Sequence, residues 1–313
     1  MPLISKSLWA AAAVFAAGFT PVASQALTQQ AEGAVPPGYN ANCNCYRAVP
    51  YGSTTWLEPT TRKMARQVMD IWMPTGFGGA RPIVYYGHPN GTSNFIALDK
   101  TAGSLYSRFV KPLTDQGYIV VSYEFRHPVV NYVAGSPAPR YDIQKAINYF
   151  ANQYAVTLNA DTTNSFITGQ SRGGGLGLLT ALTGSFTNGT TVRALWTYQA
   201  QTTFNCTEMA NDFVLESDRA LFMTQCTAVP GAGSSLKAVG PSAPPIHAAY
   251  DRPFRMELVH ASDVDVHYPD FGYQLCRQYQ AKTEGANTCQ AAPSVAGDTA
   301  WVGMADYFNA HRQ

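Results

Sequence analysis

Short apolar runs alternate along the chain with segments in which apolar residues recur every three to four positions. The runs predict strands and the spaced pattern predicts helices. Strands are predicted at 67–72, 82–87, 118–123, 165–168, 193–199 and 254–259. Helices are predicted at 105–116, around Ile143, Ala146, Ile147 and Phe150, directly after residue 171, at 271–283 and at 299–312. This alternation predicts an α/β fold with a mostly parallel central sheet and helices on both faces.

Two segments depart from the alternation. Residues 27–60 are rich in Pro, Gly, Asn and Thr, and we expect an irregular N-terminal segment there. Residues 200–250 contain a Gly-, Pro- and Ser-rich stretch at 229–245, which favours a cap inserted between two core strands. The prediction is therefore a single domain over 61–313 with a cap insertion at about 200–250.

The first 26 residues have the pattern of a bacterial secretory signal peptide. Lys6 supplies the charge, Leu8 to Phe19 is apolar and rich in alanine, and Ser24 to Ala26 offers small residues for cleavage. An uncleaved anchor is the alternative. We expect a secreted or periplasmic protein with no stable membrane insertion once the signal is removed.

The composition supports one large hydrophobic core and argues against nucleic acid as a partner. Of the 313 residues, 46% are hydrophobic and 13% are charged, which is enough apolar material for a full domain. The net charge is +1, from 21 basic and 20 acidic side chains, and no basic stripe stands out. Nucleic acid is therefore not an expected partner.

Six cysteines fit an oxidising compartment. Local closure favours the pairs Cys276–Cys289 and Cys206–Cys226, and leaves Cys43 and Cys45 either as a near-neighbour pair or partly free. No His or Cys cluster follows Cys43 and Cys45 at metal-ligand spacing, so all six are interpreted as structural or unpaired. We expect no metal.

The most informative motif is G-x-S-x-G at Gly169–Gly173. It lies between the β-prone run Ser165–Thr168 and the small, apolar run Gly173–Leu179. A serine on a sharp strand-to-helix turn is exposed for nucleophilic attack, and small neighbours let the backbone turn. The pattern predicts Ser171 as a nucleophile.

Four further segments strengthen a family resemblance. They are Gly87-His88-Pro89-Asn90-Gly91, the run from Ser122 to Pro128, Tyr141-Asp142-Ile143, and the run from Val239 to Pro244. With the serine motif they resemble the α/β-hydrolase superfamily, specifically secreted bacterial carboxylesterases and acetyl esterases or lipases. The resemblance runs from about Val49 to the C-terminus. It implies the α/β-hydrolase fold and cleavage of a small-molecule or polymer ester through an acyl-enzyme, without a cofactor.

The resemblance also assigns roles around the serine. The oxyanion hole takes one backbone N–H from Arg172 and one from Asn90 or Gly91, because Pro89 has no N–H to donate. His88 is expected to be structural, as in the related HGGG loops. The acid follows the strand at 254–259, and the family spacing favours Asp263 over the alternative Asp265.

The expected base is missing. The family places its histidine just before the last helix, where this chain has Asp298, and His311 lies too far along that helix. A carboxylate, with a reference pKa of about 3.9 against about 6.5 for imidazole, is a far weaker base at neutral pH.

Three explanations for Asp298 stay open. The chain is a disabled variant of an active esterase, a non-catalytic protein that binds an ester-like ligand, or an enzyme in which His267 acts as the base. The first is preferred because the rest of the site looks intact. A serine peptidase is less favoured, because peptidase relatives commonly carry an extra domain. Away from the reacting groups, Arg126 and Asp142 are predicted to form a structural ion pair.

Overall fold

The computed structural model describes residues 34–57, 63–89, 105–126, 138–202, 220, 255–260, 269–282, 289–293 and 300–313. The predicted signal peptide and nearly all of the predicted cap lie outside these residues, as do Cys206 and Cys226. None of the described helices is long and apolar enough to span a bilayer.

The described strands form one nine-stranded sheet in the order β1-β2-β3-β5-β4-β6-β7-β8-β9. Their bounds are β1 Tyr39–Asn40, β2 Cys45–Leu57, β3 Met64–Trp72, β4 Arg81–Gly87, β5 Ile119–Tyr123, β6 Ala160–Gln170, β7 Val192–Tyr198, β8 Arg255–His260 and β9 Cys289–Pro293. The pairs from β1 to β5 are antiparallel, and every pair from β5 to β9 is parallel. The predicted mostly parallel sheet is confirmed.

Helices cover both faces of this sheet. They are α1 Lys111–Thr114, preceded by a π-helical turn at Tyr106–Val110, then α2 Ala138–Gln153, α3 Ser171–Thr183, α4 Pro269–Lys282 and α5 Ala300–His311. Successive side chains of β4 point to opposite faces, as the two-residue period of a strand requires. Ile83 and Tyr85 pack in the core with α2 and α3. Val84 and Tyr86 pack in the core with α1 and α5.

The N-terminal segment differs from its prediction, because residues 45–57 form a long strand rather than an irregular stretch. Val49 and Tyr51 of β2 are fully buried, so this strand contributes to the core. Its pairing with β3 shifts register twice. These irregularities and the many polar residues of β2 conceal the strand pattern in the sequence.

Two disulfides lie in the described part of the chain. Cys276–Cys289 is formed as predicted and joins α4 to β9. Cys43–Cys45 is also bonded, which resolves the open alternative in favour of a near-neighbour pair.

Hydrogen bonds join the C-terminal end of α5 to the edge of the sheet at which the parallel strands begin. Tyr118, just before β5, donates its hydroxyl to Asn309 Oδ1 at 2.8 Å. The N–H of Gln313 donates to Asn164 Oδ1 at 2.9 Å. Because Asn164 lies six residues before the end of β6, this edge is about 20 Å from residue 170.

Tyr118 is expected to make stability fall at alkaline pH. Burial raises the pKa of Tyr118 to about 12, although Arg312 opposes the shift. Since the folded pKa exceeds the unfolded value of about 10, this stabilising contribution is complete below pH ~10 and is lost as the pH rises through ~12. Between pH ~9 and ~12, the free energy of unfolding measured with denaturant should fall more steeply for the parent than for Tyr118→Phe. If the free energy of unfolding fell equally with pH in both proteins, Tyr118 would not be the group responsible.

Candidate active site

Ser171 stands at a sharp turn between β6 and α3. Gln170, the last residue of β6, is extended with φ −121° and ψ 144°. Ser171, the first residue of α3, has φ +48°, in the left-handed region that residues other than glycine seldom adopt. Such strain is typical of functional positions and is the backbone signature of a nucleophile elbow.

Glycines bring the first turn of α3 against the end of β4. A Cβ on Gly169 would lie 2.7 Å from Gly87 O, which is too close for any real side chain. A Cβ on Gly173 would overlap the carbonyl group of Gly87 and His88 O. The absence of side chains therefore lets the loop after β4 start directly beside Ser171.

Gly173→Ala is expected to disrupt this contact. The added methyl group has no space, because its neighbours are backbone atoms, and overpacking of this kind costs about 1–3 kcal/mol or more. Thermal unfolding should show a midpoint lowered by at least about 2–4 °C. Gly303→Ala in α5 is the matched control, because outside its own stretch of helix no atom of the described residues lies within 4 Å of its Cβ position. Gly303→Ala should stabilise the folded protein by about 0.5–1 kcal/mol. If Gly173→Ala and Gly303→Ala changed the unfolding midpoint equally, the close contact at Gly173 would be refuted.

The two histidines whose side chains are described are both engaged elsewhere. The fully buried His88 has Nδ1 3.0 Å from Pro89 O and Nε2 3.4 Å from Glu124 Oε2. His311 has Nδ1 2.6 Å from Tyr307 O, at the end of α5 that lies on the opposite edge from Ser171. His88 is thus structural as expected, and His311 is too far away to act as the base.

Arg172 packs beneath the elbow. Its side chain is fully buried, and its guanidinium carbon lies 4.8 Å from the ring centroid of Phe125. The same Phe125 ring lies 4.8 Å from the ring of His88. Phe125 and Glu124 follow β5 directly and were quoted in the family resemblance, yet sequence reasoning gave them no role at the site. Only the fold reveals these contacts.

Arg126 and Asp142 form the predicted ion pair. Arg126 donates from Nε to Asp142 Oδ2 and from one terminal nitrogen to Oδ1, both at 2.7 Å. Its backbone N–H also donates to Oδ2 at 3.0 Å, and Gln67 Nε2 donates to Oδ1 at 2.7 Å. The hydrogen bonds to Asp142 raise the pKa of Arg126 further. The pair ties the segment after β5 to α2.

Residues after β7 also reach the elbow, although sequence reasoning did not single them out. The N–H of Gln201 donates to the Ser171 carbonyl at 3.2 Å. Gln170 Nε2 donates to Gln199 Oε1 at 3.3 Å, and Gln199 has φ +48°. Three strand ends, those of β4, β6 and β7, therefore meet around Ser171.

The parallel strands end at one common edge. Gly87 of β4 is level with Gly169, and Tyr198 of β7 is level with Gln170. Val259 of β8 is level with Tyr198, and Pro293 at the end of β9 is level with the last residue of β8. Ligands of open α/β sheets bind at the carboxyl ends of the strands, which is where Ser171 lies.

Of the site residues predicted from sequence, Ser171 and Arg172 lie in the described part of the chain and are adjacent at the elbow. The remaining candidates, Asn90, Gly91, Asp263, Asp265, His267 and Asp298, lie outside the described residues. Within the described residues, no group of three or more His, Cys, Asp or Glu side chains is arranged to hold a metal ion.

The strand order, the parallel arrangement from β5 to β9 and the strained serine between β6 and α3 together decide the fold. By fold, the chain is an α/β-hydrolase. Residues 69–216 of this α/β-hydrolase match the BD-FAE family model. A search of curated proteins found no match.

Esterases are among the solved structures with the same fold. A truncated carbohydrate esterase from gut microbiota is 18% identical and has a TM-score of 0.56, with 90% of this chain and 99% of that chain covered. Thermogutta terrifontis esterase 2, phosphoramylated by tabun, is 13% identical with a TM-score of 0.56, at 88% and 96% coverage. A bifunctional GH43-CE protein of Bacteroides eggerthii is 16% identical with a TM-score of 0.56, and the match covers 87% of this chain and 38% of that one.

Proposed function

We propose that this α/β-hydrolase is a serine hydrolase for carboxylic esters. The observation that carries the proposal is Ser171 itself, held at φ +48° on the turn between β6 and α3. Ser171 Oγ would bond to the ester carbonyl carbon while the carbonyl π pair moves to oxygen. The alcohol then leaves with a proton, and water releases the acid from the acyl-enzyme. The oxyanion would accept hydrogen bonds from the N–H of Arg172 and from Asn90 or Gly91.

The acid is proposed to be Asp263, with Asp265 as the alternative. Both follow β8, which ends at the same sheet edge as β6, two strands away. Two strand spacings amount to about 10 Å, a distance that an aspartate and a bridging base can span.

Position 298 is proposed as the base site, and the packing of α5 supports this. Thr168 Oγ1 donates to Met304 Sδ at 3.2 Å, and the Phe166 and Phe308 ring centroids are 4.9 Å apart, so α5 runs antiparallel to β6. From Met304 back to Ala300 is about 6 Å of helix, and from Thr168 forward to Gln170 is about 7 Å of strand. The start of α5 therefore lies level with the elbow, and position 298 precedes that start by two residues.

With Asp298 at this position, the enzyme is expected to be disabled. A carboxylate facing the acid forms a like-charge pair and accepts the serine proton poorly at neutral pH. His267 remains the alternative base within the same proposal, because it follows β8 as the acid does.

The substrate is proposed to be a small-molecule or polymer ester, with no cofactor. The carbohydrate esterase among the structural neighbours supports an acyl group carried on a sugar. The signal-like N-terminus and the two disulfides support secretion or a periplasmic location.

The test is hydrolysis of p-nitrophenyl acetate by the chain and by Asp298→His, each with and without Ser171→Ala. Hydrolysis that appears only with the Asp298→His change and is lost with Ser171→Ala supports a disabled esterase. Fast hydrolysis by the parent would instead direct attention to His267. Hydrolysis that survives Ser171→Ala in either background contradicts the proposal.

A non-catalytic ligand-binding protein is the second candidate. The observation that favours it is the aspartate at the base position, together with the engagement of His88 and His311 elsewhere. Ester binding without hydrolysis, in both the parent and Asp298→His, would support this reading.

A further inference from the structure

Arg172 is an unfavourable residue for the position it occupies. It is the second residue of α3, where a cation opposes the positive end of the helix dipole by about 0.3–1 kcal/mol. Its side chain is also fully buried, so the guanidinium is held among neighbouring groups of the site and not in solvent.

The contacts of this side chain lead directly to the loop after β4. The Arg172 guanidinium lies 4.8 Å from the Phe125 ring centroid, and the His88 ring lies 4.8 Å from the same centroid. Phe125 therefore contacts both the residue after the nucleophile and the first residue of the loop that contains the other proposed oxyanion donor.

The far end of this chain of contacts is itself fixed. His88 Nε2 lies 3.4 Å from the buried carboxylate of Glu124, and Nδ1 lies 3.0 Å from Pro89 O. The backbone N–H of Glu124 donates to Val68 O at 2.9 Å, which ties it to β3. We call His88, Glu124, Phe125 and Arg172 the Arg172 cluster.

We infer that Arg172 is a positioning residue of the oxyanion hole. Through the Arg172 cluster, its side chain holds its own backbone N–H in register with His88, where the loop after β4 begins. The inference rests on the proposed function, in which the donors are the N–H of Arg172 and that of Asn90 or Gly91. Two donors on separate elements stabilise one oxygen only if their separation is held to within a few tenths of an ångström.

Arg172→Met and Phe125→Leu are each made in the parent chain and in the Asp298→His background, and two kinetic measurements are made on every variant. The first rate is phosphonylation by a fluorophosphonate probe, in which Ser171 Oγ bonds to phosphorus and fluoride leaves. It places negative charge in the same hole without requiring turnover. The second is kcat and KM for p-nitrophenyl acetate.

Both variants should lower the phosphonylation rate and kcat by about 10- to 100-fold, with KM unchanged within about two-fold, because the hole acts on the transition state. Arg172→Lys, which keeps a cation over the ring, should regain part of the loss. Phe125→Leu keeps the test valid should Arg172→Met fail to fold.

Arg193→Met is the matched control. Arg193 is also buried, at 5% exposure, but it donates to Thr163 O at 2.7 Å near the start of β7, far from the elbow. The Arg193→Met variant should be less stable than the parent, but its phosphonylation rate and kcat per folded molecule should be unchanged. Equal losses in Arg193→Met and Arg172→Met would overturn the inference, as would full rates in Phe125→Leu.

The two proposals fail in different ways. If Ser171 is phosphonylated but no ester is hydrolysed even in the Asp298→His background, the proposed function fails, and the ratio of labelling rates still decides the role of Arg172. If esters are hydrolysed through Ser171 and Arg172→Met reacts at the parent rate, only the positioning role fails.

Discussion

Asp298→His is expected to raise the turnover of p-nitrophenyl acetate by about 10³-fold or more. Removal of the base from a serine hydrolase triad costs up to about 10⁶ in kcat, and binding with the oxyanion hole retains about 10³–10⁴ over water. Imidazole at position 298 would accept the Ser171 proton near neutral pH and would remove the like-charge pair with Asp263. The gain should follow the ionisation of an imidazole and vanish below pH ~5.

The matched control for this prediction is Asp306→His. Asp306 is an exposed aspartate on α5, the helix that follows position 298, so the change adds the same side chain nearby in the sequence without reaching the elbow. A gain from both substitutions would mean that the added histidine acts non-specifically. No gain from Asp298→His, in a folded chain, would leave ligand binding as the better explanation.

Asp142→Ala is expected to be the most destabilising of the proposed substitutions. The carboxylate is fully buried and accepts three hydrogen bonds from Arg126 and one from Gln67. Its removal leaves a guanidinium with 19% side-chain exposure and a buried amide without their acceptor. Breaking such a pair costs about 3–5 kcal/mol, which is a large share of the roughly 5–15 kcal/mol of a typical domain. Thermal unfolding should show a midpoint lowered by about 10 °C.

An exposed pair supplies the comparison. Lys111 and Asp115 in and after α1 are 2.5 Å apart, with side chains 57% and 58% exposed. Asp115→Ala removes the same kind of ion pair but should cost no more than about 0.5 kcal/mol, because solvent screens it. Similar losses from the two substitutions would show that burial does not determine the value of the Asp142 pair.

Much of the parallel core could be predicted from sequence because each of its strands has a local pattern. The apolar runs that form β4 and β5 are buried on both faces, and G-x-S-x-G places the turn after β6. β2 and β9 were missed because they lie towards the sheet's ends, where polar residues and bulges are tolerated.

The sharp turn at Ser171 could be predicted from sequence, but the side chains packed around it could not. A motif of five residues specifies the backbone of Ser171, and the structure confirms that turn. The stacking of Arg172 on Phe125 joins residues far apart in the sequence, and it depends on β5 lying next to β4 beside β6. No local pattern encodes a contact of that kind, so it appears only when the sheet order is known.

The Cys276–Cys289 disulfide makes the properties of a protein preparation depend on the redox conditions under which it was made. It joins α4 to β9, and β9 pairs among the described strands only with β8 before the chain continues towards position 298. A covalent link across this separation lowers the conformational entropy of the unfolded chain and thereby stabilises the folded state by about 3 kcal/mol. Material made in a reducing cytosol would lack that link, so its last strand and the start of α5 would be held by pairing and packing alone. Kinetic comparisons between laboratories would then depend on the compartment of expression as much as on the variant.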